Sequence, residues 1–270
     1  MTAKRSPPPA PAGPTSSSLV EIDGVEVSFG EKAVLRGVSL RIEPGETVAI
    51  LGESGGGKTV LLKVMLGLVV PDRGTVRLFG LGIAGLSDDA MIPIRKRCSV
   101  VYQGGALFSG LNVGENIALE LDEVLRLPRD EIARRVRESL EAVGLADVAP
   151  TASPDSLSGG MRKRLAVARA IAPRPELIVY DEPTSGLDPL NSARIFALIR
   201  TLHDRFQVTS VVVTHDVQGA YSIANRILLL SRGRIAFDGP PAQFRASNDP
   251  VVMAYRAAAA GIETSASAGK

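Results

Sequence analysis

Two kinds of hydrophobic pattern follow one another along the chain. Val25-Glu26-Val27-Ser28-Phe29 and Val38-Ser39-Leu40-Arg41-Ile42 alternate apolar and polar residues, which predicts antiparallel strands with one face buried. Thr47-Val48-Ala49-Ile50-Leu51, Leu177-Ile178-Val179-Tyr180 and Ser210-Val211-Val212-Val213 are instead almost continuously apolar, as strands covered on both faces must be. Each of these three runs leads into a polar loop and then a helix-like segment, the order that builds a parallel α/β sheet. From about 104 to 172 the strand pattern disappears. There Ile132, Val136, Leu140 and Val143 recur at helical spacing, with Arg134, Arg135, Arg137 and Glu138 facing elsewhere, which predicts an amphipathic helix. The expected fold is therefore α/β: a parallel-sheet core, an antiparallel β subdomain, and an inserted α-helical subdomain at about 104–172. Residues 1–17 are rich in Pro, Ser and Ala and are expected to be a disordered tail. The main domain is expected to cover 18–246 and a C-terminal tail 247–270, flexible from about Ala257 onward.

Composition narrows the partners more than the fold. A 45% hydrophobic and 22% charged chain is an ordinary globular one. Its 31 basic and 29 acidic side chains leave a net charge of +2, which gives no reason to expect a nucleic-acid partner. The single cysteine, Cys98, excludes an internal disulfide and sites built on several thiolates. It lies in an apolar stretch and is expected to be a buried structural thiol. No apolar run approaches the roughly 20 residues of a membrane-spanning helix, and no signal-peptide pattern opens the chain. A cytoplasmic protein without direct membrane insertion is expected, so any membrane role must come through a partner.

The chemistry begins at Gly52-Glu53-Ser54-Gly55-Gly56-Gly57-Lys58-Thr59, which fits G-x-x-x-x-G-K-[ST] between a buried strand and a helix. Glycines let the backbone curl so that successive N–H groups face phosphate oxygens, and the following helix presents its positive end to the same anion. Lys58 would supply charge to the β- and γ-phosphates, and the Thr59 hydroxyl is a ligand for Mg²⁺. A second buried strand ends at Asp181-Glu182. Beside a phosphate loop these carboxylates divide the work: Asp181 faces the metal, and Glu182 polarises a water for attack on the γ-phosphate.

Further motifs specify the family. Leu157-Ser158-Gly159-Gly160-Met161 resembles the signature motif of ABC ATPases, and the run from Asp181 to Asp188 resembles their Walker B and D-loop. Gln103 after Val101-Tyr102 matches the Q-loop, His215 after Val213-Thr214 the switch histidine, and Phe29 the aromatic that stacks on adenine. In order and spacing, residues from about 18 to 245 resemble the ATP-binding subunit of an ABC transporter. The resemblance implies a P-loop NTPase fold of the RecA-like type that uses ATP and Mg²⁺, with Gln103 also near the metal. It further implies a head-to-tail homodimer in which Ser158, Gly159 and Gly160 of one subunit complete the site of the other. Taken alone, His215 reads first as a core histidine; Phe29 is also readable as core, and Gln103 as a surface amide. Glu53 and Gly56 depart from the residues usual in the family, at positions that vary within it.

Translation-type relatives carry two such domains in one chain, and chromosome-type relatives separate their motifs by a long coiled coil. Neither arrangement occurs here, so a subunit that docks on transmembrane permeases is the reading that remains. The run from Gln103 to Asn116 closely resembles the Q-loop extension of the Mce/Mla-type ATPases, which move phospholipids or other hydrophobic compounds across the bacterial envelope. That resemblance implies lipid transport at the cytoplasmic face of the inner membrane, with a permease and an Mce-domain substrate-binding protein. An amino-acid-type nutrient importer is the alternative. Ala106, Leu107, Phe108 and Leu111 could line a permease-docking groove or belong to the helical core.

Overall fold

The computed structural model describes residues 18–261; the expected N-terminal tail and residues 262–270 lie outside them. The chain runs β1 (Val20–Phe29), β2 (Lys32–Ile42), β3 (Thr47–Gly52), α1 (Lys58–Met65), β4 (Arg73–Leu78), β5 (Leu81–Gly82), α2 (Asp88–Arg95) and β6 (Cys98–Val101). Three helices follow without a strand: α3 (Val113–Glu123), α4 (Arg129–Ala142) and α5 (Gly159–Ile171). Then come β7 (Leu177–Asp181), α6 (Pro189–Phe206), β8 (Thr209–Val213), α7 (Val217–Ile223), β9 (Arg226–Ser231), β10 (Arg234–Gly239), α8 (Pro241–Ala246) and α9 (Pro250–Ala259).

Two sheets form. The smaller is antiparallel, in the order β2-β1-β4-β5. The larger has the order β10-β9-β3-β8-β7-β6 and is parallel from β9 to β6, with β10 antiparallel at one edge. Its strands explain the unbroken apolar runs, because successive residues enter different cores. Leu177, Val179, Val211 and Val213 pack with Leu61, Leu62 and the small sheet. Ile178, Tyr180 and Val212 pack on the opposite side with residues of α5 and α6. On that opposite side Ala49 and Leu51 join a third cluster with Val252 and Phe244. The α/β architecture and both sheets agree with the expectation. Val136, Leu140 and Val143 are buried, as the helical spacing required.

Two expectations are corrected. Ala257, Ala258 and Ala259 do not begin a flexible tail; they complete α9. Asp249 caps that helix by accepting from the N–H groups of Val251 and Val252, and Val252 is wholly buried. An alanine run has the highest helix propensity, so it propagates a helix nucleated upstream. Cys98 is only partly buried, although desolvation still pushes its thiol up to about 12, which leaves it unreactive.

Candidate functional site

Parallel strands deliver their loops to one edge of the sheet, where α/β folds place their ligands. Here β3 delivers residues 53–57, β7 delivers Glu182, β8 delivers His215, and β6 is followed by Gln103. Together they line a cleft of about 400 Å³ with Phe29, Val34, Ser54, Gly55, Gly57, Lys58, Thr59, Val60 and Ser185.

The phosphate loop has the backbone its sequence requires. Gly52 has a φ of 154°, and a Cβ there would lie 2.4 Å from the Leu230 carbonyl oxygen, so no other residue fits. Gly57 precedes α1 in the left-handed conformation and offers no side-chain cap. The first-turn N–H groups of α1 are therefore left to a ligand. Lys58 is 7% exposed and donates from Nζ to the carbonyls of Gly52 (2.7 Å) and Glu53 (3.0 Å). Burial lowers its pKa, against the pull of Glu182, Asp181 and Glu53. A buried ammonium whose hydrogen bonds go to neutral carbonyls is primed for an anion.

Across the cleft, Glu182 adopts a left-handed φ of 48°, a strained conformation for a residue with a side chain. Its N–H donates to the Val213 carbonyl at 2.9 Å. Its carboxylate accepts from His215 Nδ1 at 2.9 Å. The His215 side chain is 68% exposed, which excludes the core reading of that residue. Phe29, at the end of β1, is 56% exposed and faces the cleft; it too is no core residue. Gln103 donates from Nε2 to Ser185 Oγ at 2.9 Å, so it belongs to the cleft and is not a free surface amide. Ser185 carried no role in the sequence reading. Its hydroxyl type and its place after Asp181-Glu182 were the only signals.

Asp181 has its pKa raised, first by burial and then by the charge of Glu182, with Lys58 opposing. Two crowded carboxylates are hard oxygen donors that favour a dication. Among the described residues no cluster of three His, Cys, Asp or Glu could hold a metal alone. The residues thus fit Mg²⁺ brought with a phosphate ligand: Thr59, Asp181 and Gln103 would supply part of its shell, and nucleotide and water the rest. Gly52, Glu53 and Gly56 belong to the loop but do not line the cleft, and Asp181 stands behind Glu182 without lining it.

Ser158, Gly159 and Gly160 are absent from this cleft. Ser158 caps α5 by accepting from the N–H of Met161 at 3.3 Å, and Gly159 and Gly160 lie beside Leu187 and Asn191. The loop after Gln103 is held by α5. Lys163 donates to the Gln103 carbonyl, and Arg169 donates to the carbonyls of Ala106 (2.5 Å) and Gly105 (3.1 Å). Of the four apolar residues there, Ala106 and Phe108 are exposed and Leu107 packs at the rim of the helical core.

The chain is similar to several known proteins. The ABC transporter family matches residues 35–185. A methionine import ATP-binding protein of Brucella abortus (strain 2308) is 40% identical over 233 residues, 86% of this chain. The chain spans only 62% of that protein's length. The intermembrane phospholipid transport system ATP-binding protein MlaF of Escherichia coli (strain K12) is 38% identical over 239 residues, 88% of either chain. A solved ATP-binding cassette, a dimer in a post-hydrolysis state bound to ADP and Pi, superposes with a TM-score of 0.73. It is 32% identical, over 82% of this chain and 98% of that one.

Proposed function

The chain belongs to the ABC transporter family, and from that premise we propose that it binds ATP in the cleft and hydrolyses it to drive a membrane partner. One observation carries this reading: the phosphate loop, Glu182, His215, Gln103 and Phe29 converge on a single cleft from separate elements. Phe29 would stack on the adenine, which an exposed ring at a cleft mouth suits. The loop amides and Lys58 would hold the phosphates. Mg²⁺, when bound, neutralises phosphate charge. Glu182 would accept the proton of the attacking water, and His215 would keep the carboxylate oriented through Nδ1. The expected result is ATP binding by calorimetry and slow ATPase activity in the isolated chain. Lys58→Ala should lose at least tenfold in ATP affinity; unchanged binding would overturn the reading.

The signature residues lie outside the cleft of their own chain, which suits the family's head-to-tail dimer. In that dimer Ser158, Gly159 and Gly160 act on the partner's nucleotide. Among the described residues no helix is long and apolar enough to cross a membrane. We place the protein peripherally, at the cytoplasmic face of the inner membrane, beneath a permease. An apolar groove lined by Leu66, Leu68, Met91, Ile94 and Tyr102, the residue before Gln103, would receive that permease.

For the substrate we favour phospholipid or another hydrophobic compound, with an Mce-domain substrate-binding protein as further partner. The run from Gln103 to Asn116 supports this, and the match to the phospholipid-transport protein of Escherichia coli is consistent with it. The likeness to the methionine importer keeps an amino-acid cargo as the second reading. Lipid found by mass spectrometry in the complex purified with its permease supports the first. Methionine binding by that complex, with no lipid, would select the second.

A further inference from the structure

A residue far from every motif touches the phosphate loop. Tyr255, on α9, is 203 positions from Gly52, yet the Gly52 N–H donates to its hydroxyl at 3.2 Å. The same hydroxyl lies 3.5 Å from the Gly52 carbonyl oxygen. That carbonyl already accepts from Lys58 Nζ at 2.7 Å. Gly52 itself is buried, so its backbone groups need partners inside the protein.

The helix that presents Tyr255 is fixed at several points. Val252 packs among Ala49, Leu51 and Phe244, and Leu51 is the residue just before Gly52. Arg256 donates to the carbonyls of Phe244 (3.4 Å) and Ser247 (3.3 Å). Its preceding residue is thus set against the end of β3 by packing rather than by chance.

We propose that Tyr255 is a positioning residue of the phosphate loop, holding Gly52 in place and releasing Lys58 to the nucleotide. The idea rests on the ATP-binding reading above. A phosphate must draw Lys58 Nζ away from the loop carbonyls, and this strips Gly52 of its near donor. A tyrosine hydroxyl accepts and donates at once. It keeps the Gly52 N–H paired and supplies a replacement donor to the carbonyl. Phenylalanine keeps the packing and supplies neither.

The test uses the full chain and its Tyr255→Phe and Lys58→Ala variants. Calorimetry with ATP should show Tyr255→Phe binding about three- to tenfold more weakly, the size of one lost hydrogen bond. KM should carry the loss rather than kcat, and the thermal midpoint should fall by only about 2–4 °C, since one buried hydrogen bond is lost and the packing is kept. Amide exchange followed by NMR should be faster at Gly52 in the variant. Wild-type ATP affinity in Tyr255→Phe, while Lys58→Ala fails to bind, overturns this proposal alone. Wild-type affinity in Lys58→Ala overturns the ATP-binding reading beneath it.

Discussion

Glu182 carries three constraints in one residue: a left-handed backbone, an N–H tied to β8, and a carboxylate tied to His215. Strain of this kind persists only where its surroundings enforce it. The carboxylate is thereby fixed in the cleft, as the proposed general base must be. Glu182→Gln keeps the shape and the hydrogen-bonding oxygen but removes the basicity. It should bind ATP with wild-type affinity and turn it over about 10²- to 10⁴-fold more slowly. Gel filtration in ATP should show it accumulating as a dimer, and a wild-type hydrolysis rate would rule out the assignment. In the proposed mechanism His215 orients the base without replacing it, so His215→Ala should slow turnover less.

At the level of elements, α5 couples two functions. Ser158 caps its first turn, while Lys163 and Arg169 grip the carbonyls of the loop after Gln103. Ser158→Ala should cost about 1 kcal/mol from the lost cap, lowering the thermal midpoint by about 2–4 °C. A far larger loss of ATPase activity than of stability would be expected if this hydroxyl also serves a nucleotide. The neighbouring α4 should respond to pH. Hydrogen bonds from Arg134 and then Arg135 pull the Glu131 carboxyl from the ordinary 4.5 down to about 2. A depressed carboxylate adds stability above the unfolded-state value and loses it as pH falls through the folded one. Between about pH 4.5 and 2 the thermal midpoint should drop, and Glu131→Gln should flatten part of that drop. These elements differ in how far the chain discloses them. The runs 47–51, 177–180 and 210–213 were legible because burial on both faces leaves no room for polar residues. The phosphate loop was legible because its glycines, lysine and threonine are local. Tyr255 was not, since nothing near it signals a contact made across the fold. Nor was the grip of Arg169, whose guanidinium meets backbone carbonyls that any sequence possesses.

For the whole molecule, the separation of the signature residues from their own cleft has a testable corollary. If each site takes its loop from one subunit and its signature from the other, two different defects can be complementary. Lys58→Ala and Ser158→Arg should each be inactive alone. Their mixed dimer holds one site with neither defect, so mixing and re-equilibrating the two preparations should restore measurable ATPase activity. No recovery would exclude the trans arrangement. The order of the large sheet has a different consequence, one felt before the protein is finished. β3 lies between β8 and β9, so the strand that carries the phosphate loop leaves the ribosome about 160 residues before either neighbour. At roughly 5–20 residues per second, that apolar strand waits on the order of ten seconds or more without its pairing partners. Translation speed and chaperone access in that interval would govern the yield of active protein. A stalled chain ending before residue 209 would leave this apolar strand without either of its pairing partners.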